Sequence, residues 1–120
     1  MIDLNSSIMI GARIVCDLDH TICIPNDKEK ETFAKYGNAI PKHDVIDKIR
    51  LWKSRGAYII IYTARRMGTH NGDINKVIED VSEITKNWLM QNNVPYDELV
   101  FGKPFGDVYI DDKALNVEDL

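Results

Sequence analysis

The sequence predicts an α/β protein with a mainly parallel sheet, helices on both faces of the sheet and no separate cap domain. Short apolar segments of strand type alternate with longer segments of helical periodicity, in the order β-α-β-α-β-β. The strand segments are continuous apolar runs, which is typical of parallel strands buried on both faces. With 120 residues, 44% of them hydrophobic and 28% charged, the chain has the size and composition of one globular domain, 1–120.

The strands are predicted from β-branched and aromatic runs bounded by polar residues. Two buried strands are expected in "RIVCDL" (13–18) and "AYIIIYT" (57–63). "ELVFG" (98–102) and "DVYID" (107–111) predict two further short strands, separated by "KPFG". Four strands of this type in one small domain would form a single sheet.

Two helices are predicted between the strands, and one polar segment precedes them. The first helix opens near Asp44 and ends at Arg55-Gly56, with one apolar face formed by Val45, Ile46, Ile49 and Trp52. The second helix runs from about Ile74 to Asn92. Residues 22–40, rich in lysine and glutamate, are expected to form a flap-like surface excursion, too short for a cap domain.

Composition argues against several classes of partner. The net charge of −4 and the pI near 5.3 give no reason to expect a nucleic acid partner. No stretch approaches the ~18 apolar residues of a membrane span, so no membrane partner is expected. Cys16 and Cys23 match no zinc-binding spacing and are expected to stay reduced in a cytoplasmic protein.

Polar side chains follow all four predicted strands. Asp17, Asp19 and Thr21 come after the first strand, and Thr63 and Arg65 after the second. Lys103 follows the third strand, and the pair Asp111-Asp112 ends the fourth. In an open parallel sheet the ligand crevice lies beyond the carboxyl ends of the strands, so these groups are expected to converge on one site.

The chemistry of such a site is best matched by phosphoryl transfer. Several carboxylates at one edge repel one another unless a cation neutralises them, and an all-oxygen ligand set favours Mg²⁺. A carboxylate can also act as the nucleophile, while a lysine and a hydroxyl group bind phosphoryl oxygens. The sequence contains no nucleophile elbow, Walker loop or dinucleotide fingerprint, which argues against other common chemistries.

The same residues resemble the four motifs of the haloacid dehalogenase (HAD) superfamily. "DLDHT" is similar to its DxDxT motif, and "IIIYTAR" to its second motif. Lys103 in "FGKP" resembles the third motif, and "YIDD" the fourth. The resemblance covers nearly the whole chain and implies a Rossmann-like, HAD-type fold. "HDVIDKIRLWKSRG", "TARRMGTHNGDINKV" and "NVPYDELVFGKP" most resemble small phosphatases of bacterial capsule polysaccharide biosynthesis.

The resemblance implies a role for each catalytic residue. Asp17 would attack phosphorus and form an aspartyl-phosphate, and Asp19 would act as general acid and then as general base. Thr63 and Lys103 would hold the phosphoryl oxygens. Mg²⁺ would be bound by Asp17, by the backbone carbonyl of Asp19 and by Asp111, with Asp112 contacting it directly or through water.

A capless site is open to large substrates unless another subunit covers it, so a homo-oligomer is possible. His20 occupies a position where the resembling family more often has glycine, and it is a candidate for substrate contact. The loop after Thr63 supplies the other predicted substrate-binding residues, which are Arg65, Arg66, His70 and Asn71.

The expected function is Mg²⁺-dependent hydrolysis of a small-molecule phosphate ester, a phosphorylated sugar, polyol or nucleotide-sugar intermediate. A nucleotide or nucleic-acid-end phosphatase is the alternative within enzymology. A phospho-accepting receiver also clusters Asp, Thr and Lys around Mg²⁺, but a receiver carries its acidic pair on the first strand. A binding module without activity would be expected to lack one of the key residues, and this chain lacks none of them.

Overall fold

The computed structural model describes residues 2–120 of the chain. Strands and helices follow the predicted order through the first three sheet strands. In chain order the elements are β1 (Arg13–Asp17), β2 (Cys23–Ile24), a π-helical turn (Phe33–Gly37), β3 (Ile40–Pro41), α1 (His43–Ser54), β4 (Tyr58–Thr63), α2 (Ile74–Gln91), β5 (Glu98–Phe101) and a 3₁₀ turn (Val117–Asp119).

The central sheet has three parallel strands in the order β1-β4-β5. Val15 lies opposite Ile60, and Ile60 lies opposite Glu98 on the next strand. Helix α1 connects β1 to β4, and α2 connects β4 to β5. The α/β class, the parallel sheet and both helices are therefore as predicted.

Both helices pack on one face of the sheet, which corrects the prediction of helices on both faces. Ile46 of α1 and Leu89 of α2 share one buried cluster with Ile59 and Ile61 of β4. The cause is topological. Parallel crossovers are right-handed, and two of them that move in the same direction across the sheet place their helices on the same side. Among residues 2–120, no helix covers the opposite face.

The opposite face is consequently only partly buried. It carries the alternate residues of the three strands, among them Val15 of β1, which is 58% exposed. Ile60 and Tyr62 of β4 are partly exposed there, and Val100 of β5 is exposed. Covering large apolar side chains such as these would stabilise the fold, since burial of each contributes about 1.5–3 kcal/mol.

The predicted fourth strand, 107–111, is also not formed within this chain. No strand or helix spans residues 102–116, and within the segment Ile110 is 96% exposed. A strand requires a neighbour to satisfy its backbone groups, and these residues pair with no strand among those that the structure describes. The sequence pattern of a strand is present, but the pairing is not.

The segment 22–40 forms a small subdomain-like excursion and not a cap domain. Its two short strands, β2 and β3, pair antiparallel, and the π-helical turn lies between them. Tyr36 of this turn is buried with Val77 and Val81 of α2, which fixes the excursion against the helix. No helix within residues 2–120 combines the length and the hydropathy needed to cross a membrane.

Candidate active site

The carboxyl ends of the three strands bring Asp17 and Lys103 together. Asp17 is the last residue of β1, and Lys103 follows β5 by two residues. The Nζ atom of Lys103 lies 3.3 Å from Oδ1 of Asp17, and the hydroxyl of Thr21 donates to Oδ2 at 3.4 Å. The Asp17 carboxylate thus lies beside a positive charge, with about a third of its side chain open to solvent.

Asp19 is held by a buried arginine. Nε of Arg65 lies 3.1 Å and 3.0 Å from the two carboxylate oxygens of Asp19, and its Nη2 lies 2.8 Å from Oδ1. The remaining donor group, Nη1, binds the hydroxyl of Thr85 at 2.9 Å, and the guanidinium stacks 4.4 Å from the ring centre of Tyr36. Because the Arg65 side chain is fully buried, this fork fixes the position of Asp19.

Thr63 closes β4 and organises the turn that follows. It is 1% exposed, and its hydroxyl oxygen accepts from the backbone N–H of Arg65 at 3.1 Å. Its carbonyl accepts from the backbone N–H of Lys103 at 3.1 Å. Gly102, which precedes Lys103, has a φ of +98°, a conformation that favours glycine. A Cβ there would also lie 2.8 Å from Cδ1 of Ile74.

His20 adopts a left-handed backbone conformation, with φ at 63°. Glycine adopts this conformation without a steric penalty, whereas in other residues the Cβ comes too close to the following carbonyl oxygen. A glycine at this position would avoid that penalty. The imidazole Nε2 lies 3.1 Å from Asp27 of the excursion, so His20 connects the site to the 22–40 segment.

The other predicted substrate-binding residues divide into two groups. Arg66 lines the site cavity, and it also donates to the carbonyl of Lys30 at 2.7 Å. His70 instead contacts Asp80 of α2 at 2.9 Å, and Asn71 is exposed. Neither His70 nor Asn71 lines the cavity.

The contact between His70 and Asp80 is structural in character. Burial of Asp80 raises the pKa of its carboxyl, but hydrogen bonds from His70 and Thr32 outweigh that effect and hold the pKa below its usual range. Asp80 therefore stays ionised and ties the loop after β4 to α2 and to the excursion.

A cavity of about 400 Å³ opens in front of Asp17 and Asp19. Its walls come from the strand ends, the loop after β4, the 22–40 excursion and the chain beyond β5. The lining residues that the sequence did not point to are Pro25, Asp27, Lys35, Tyr36, Thr69, Phe105 and Tyr109, together with small residues of the loops. Their involvement depends on how the excursion folds, and no local sequence signal marks it.

The predicted metal set is not assembled within one chain. Asp111 and Asp112 are exposed, and Asp111 accepts from the backbone N–H of Lys113 at 2.8 Å, which lowers the pKa of its carboxyl. Within residues 2–120, no group of three or more His, Cys, Asp or Glu side chains is placed to hold a metal ion. Within one chain, the Asp111-Asp112 pair therefore does not join Asp17 and Asp19 in the metal site that the resemblance implies.

The two cysteines remain thiols at neutral pH. Burial and the neighbouring Asp17 raise the pKa of Cys16 to about 11, and burial and the neighbouring Asp19 raise that of Cys23 to about 12. Cys23 lies 3.4 Å from Oδ1 of Asp19 as a weak donor. Thiolate chemistry at this site is therefore disfavoured.

The fold and the site together define an α/β protein with an acidic site at the carboxyl edge of a parallel sheet. A structural-genomics target from Vibrio cholerae is similar to this chain, with 34% identity and a TM-score of 0.81 over 90% of this chain and 85% of the other. The chain belongs to the same family as that Vibrio cholerae protein.

Two structures of the Pnkp1/Rnl/Hen1 RNA repair complex contain a chain with a related fold. Their identities to this protein are 20% and 19%, with TM-scores of 0.55 and 0.56. The match covers 90% of this chain but only 30% and 32% of theirs, so the likeness extends to the fold alone. A scan against protein-family models and a search of curated proteins gave no match.

Proposed function

We propose that the protein is a phosphomonoester hydrolase of the HAD superfamily that works through an aspartyl-phosphate on Asp17. The observation that carries the proposal is the Asp17 carboxylate, 3.3 Å from the Lys103 ammonium at the edge of a polar cavity. A partly exposed carboxylate is available as a nucleophile, and the adjacent cation can bind the phosphoryl group that it attacks. The four motifs in chain order support the same function.

Asp17 has the place of the nucleophile in this proposal. One of its oxygens forms a bond to phosphorus while the bond from phosphorus to the ester oxygen breaks, and the leaving oxygen takes a proton. A water molecule then attacks the phosphorus, which releases inorganic phosphate and regenerates Asp17. Lys103 neutralises charge on the phosphoryl oxygens in both steps.

Asp19 is proposed as the group that moves protons. Both of its oxygens accept hydrogen bonds from Arg65, which orients the carboxylate for removal of a proton from water. Donation of a proton to the leaving oxygen requires Asp19 to exchange one of those bonds for a bond to the substrate. The fork of Arg65 makes it a positioning residue for this step.

Mg²⁺ is part of the proposal, although one chain does not present a complete set of ligands for it. When bound, it would neutralise the carboxylates and the phosphoryl group. Asp17 would contribute its carboxylate and Asp19 its backbone carbonyl, whereas Asp111 and Asp112 do not join them in a metal-holding group among the described residues.

The cavity favours a small polar ester over a polymer. Its charged and hydroxyl-bearing walls, which include Asp27, Lys35 and Tyr36, suit a hydroxyl-rich ligand such as a phosphorylated sugar, polyol or nucleotide-sugar intermediate of surface polysaccharide synthesis. The likeness to an RNA repair complex concerns the fold only. The net charge of −4 also argues against a nucleic acid substrate.

Phosphate release from a panel of esters tests the function. The panel holds sugar, polyol and nucleotide-sugar phosphates, nucleotides and phosphorylated oligonucleotides, each with Mg²⁺ and with EDTA. We expect turnover of small esters that EDTA abolishes and that Asp17→Asn lowers on the order of 10³-fold or more.

The matched control is Asp47→Asn, which makes the same change on the exposed face of α1, where Asp47 contacts Arg50. It should keep wild-type turnover. Full activity in Asp17→Asn would contradict the assignment of the nucleophile, and activity on oligonucleotide ends alone would replace the proposed substrate class.

A further inference from the structure

The chain beyond Lys103 exposes several apolar side chains, although Tyr109 packs over Lys103 at 4.2 Å and Val117 packs against the core. Val108 is 75% exposed and Ile110 is 96% exposed, in a segment whose sequence, "DVYID", has the pattern of a strand. Phe105 and Leu115 on either side are also exposed. A run of this kind is typical of a surface that becomes covered in an assembly. We call residues 107–112 the exchange segment.

The central sheet has a free edge where such a strand can add. In residues 2–120, β1 pairs with β4 on one side and with no strand on the other. Its residue Val15 is 58% exposed on the face of the sheet that no helix covers. An unpaired, apolar edge strand offers a row of backbone donors and acceptors to another chain.

The direction of pairing is set by the chemistry. Asp111 and Asp112 end the exchange segment, and Asp17 ends β1. The two acidic groups meet only if the exchange segment runs parallel to β1, because an antiparallel strand would place Asp111 at the opposite end of the sheet.

A parallel strand beside the chain's own β1 is out of reach. The backbone N–H of Lys103 is bound to the Thr63 carbonyl at the end of β4, which leaves residues 104–106 as the connection. Because Lys103 continues the line of β5, the start of such a strand lies three strand spacings away and one strand length back, about 19 Å in a straight line. The four Cα steps from Lys103 to Asp107 span at most about 14 Å, and parallel connections normally take a dozen residues or more.

We propose that the exchange segment of one copy adds as a parallel strand to the free edge of β1 in a second copy, and the reverse. The exchange is isologous, so one contact buries two exposed segments and two free edges. Resting on the proposed function, it also brings Asp111 and Asp112 of the second copy to Asp17 and Asp19. The acidic groups that the proposed function assigns to Mg²⁺ would then come from two chains.

The oligomeric state tests the exchange without reference to activity. By light scattering after gel filtration at micromolar concentration, the wild-type chain should have at least twice the mass of one chain, and Ile110→Glu should be monomeric. The control is Met90→Glu, which places the same charge on α2 at a side chain that is 70% exposed, and it should keep the wild-type mass. A monomeric wild type, or an Ile110→Glu protein that still associates, would overturn the proposal.

Mixing of two inactive variants tests the shared site. Asp17→Asn and Asp111→Asn are refolded together in equal amounts, and each is also refolded alone. Half of the dimers are then mixed, and each mixed dimer has one site with both aspartates, so about a quarter of the wild-type activity should return. If both aspartates of a site belonged to the same chain, mixing would restore nothing.

The two tests separate the failure of each idea. A dimer that depends on Ile110 in a protein without phosphatase activity would leave the exchange standing and remove the proposed function. An active wild type whose variants do not complement each other would keep the function and overturn the shared site.

Discussion

Two regions of this molecule have similar apolar patterns but different structures, because one forms a buried strand and the other is exposed. The stretch 57–63 and the exchange segment are both short apolar runs that end in a polar group, and both are predicted as strands. In the first, Ile59 and Ile61 are completely buried between β1, β5 and the two helices, whereas in the second Ile110 is almost completely exposed. The difference shows that local pattern specifies the preference for a strand, while chain connectivity decides whether a neighbour is within reach.

The largest expected difference is between the truncation of one isoleucine in the buried strand and one in the exchange segment. Ile61→Ala should lower the free energy of unfolding by about 3 kcal/mol, because it leaves a cavity in the core. Ile110→Ala should change it by less than about 0.5 kcal/mol at nanomolar concentration, where the side chain is solvated. Urea unfolding measures both. At micromolar concentration Ile110→Ala should also lower the melting temperature, because the exchanged dimer buries the side chain; equal losses in dilute solution would contradict the comparison.

The second effect concerns the two ion pairs of the site. Arg65→Met should cost about 3 kcal/mol of stability, because it leaves Asp19 without its buried partner. Lys103→Met removes a partly exposed pair with Asp17 and should cost less than about 1 kcal/mol. Both substitutions should reduce phosphate release. The loss of stability, and not the loss of activity, therefore distinguishes the buried Arg65–Asp19 pair from the partly exposed Lys103–Asp17 pair. Arg65→Lys keeps the charge without the fork, and wild-type stability in that variant would show that the fork geometry is unimportant.

The third prediction compares two aspartates whose pKa values are lowered for different reasons. Hydrogen bonds from the Lys53 side chain and the Ile59 backbone hold the pKa of Asp97 below its usual range, and both are contacts between distant parts of the chain. The lowered pKa of Asp111 comes first from the backbone N–H of Lys113, two residues away.

The sign follows from the direction of these shifts. Because the folded pKa of Asp97 is below its unfolded value, its stabilising contribution is complete above the unfolded value, near pH 4, and is lost as the pH falls through the folded pKa. The stability difference between wild type and Asp97→Asn should therefore shrink below about pH 4. In Asp111→Asn, measured by the same urea series in dilute solution, the difference should change in the same direction but by less, because the contact with the Lys113 backbone is local and also forms in the unfolded chain.

The smallest effect is expected at His20. His20→Gly removes the cost of a left-handed residue and the contact with Asp27, whereas His20→Ala removes the contact and keeps the cost. The glycine variant should therefore be the more stable of the two by about 1 kcal/mol. Thermal unfolding of both variants measures the difference. An alanine variant as stable as the glycine variant would mean that this turn relaxes without strain.

Much of the structure could be predicted from periodicity. The runs at 13–18, 57–63 and 98–102 and the two amphipathic helices appear close to where they were predicted, because each signal depends on residues near in sequence. The meeting of Asp17 with Lys103 was also predictable, since parallel strands align their carboxyl ends. The face on which the helices pack was not, because it depends on strand order. The fork from Arg65 to Asp19 and the lining by the excursion depend on contacts between residues far apart in the chain.

By itself, the sequence determined which residues are available for chemistry and which segments prefer strand or helix, because both properties depend on side-chain type and short-range spacing. The tertiary structure decided which of these groups meet. It joined Asp19 to Arg65 and Asp17 to Lys103, and it left Asp111 and Asp112 outside the site. Asp111 and Asp112 stay outside because the connection after Lys103 is too short for a parallel crossover within one chain.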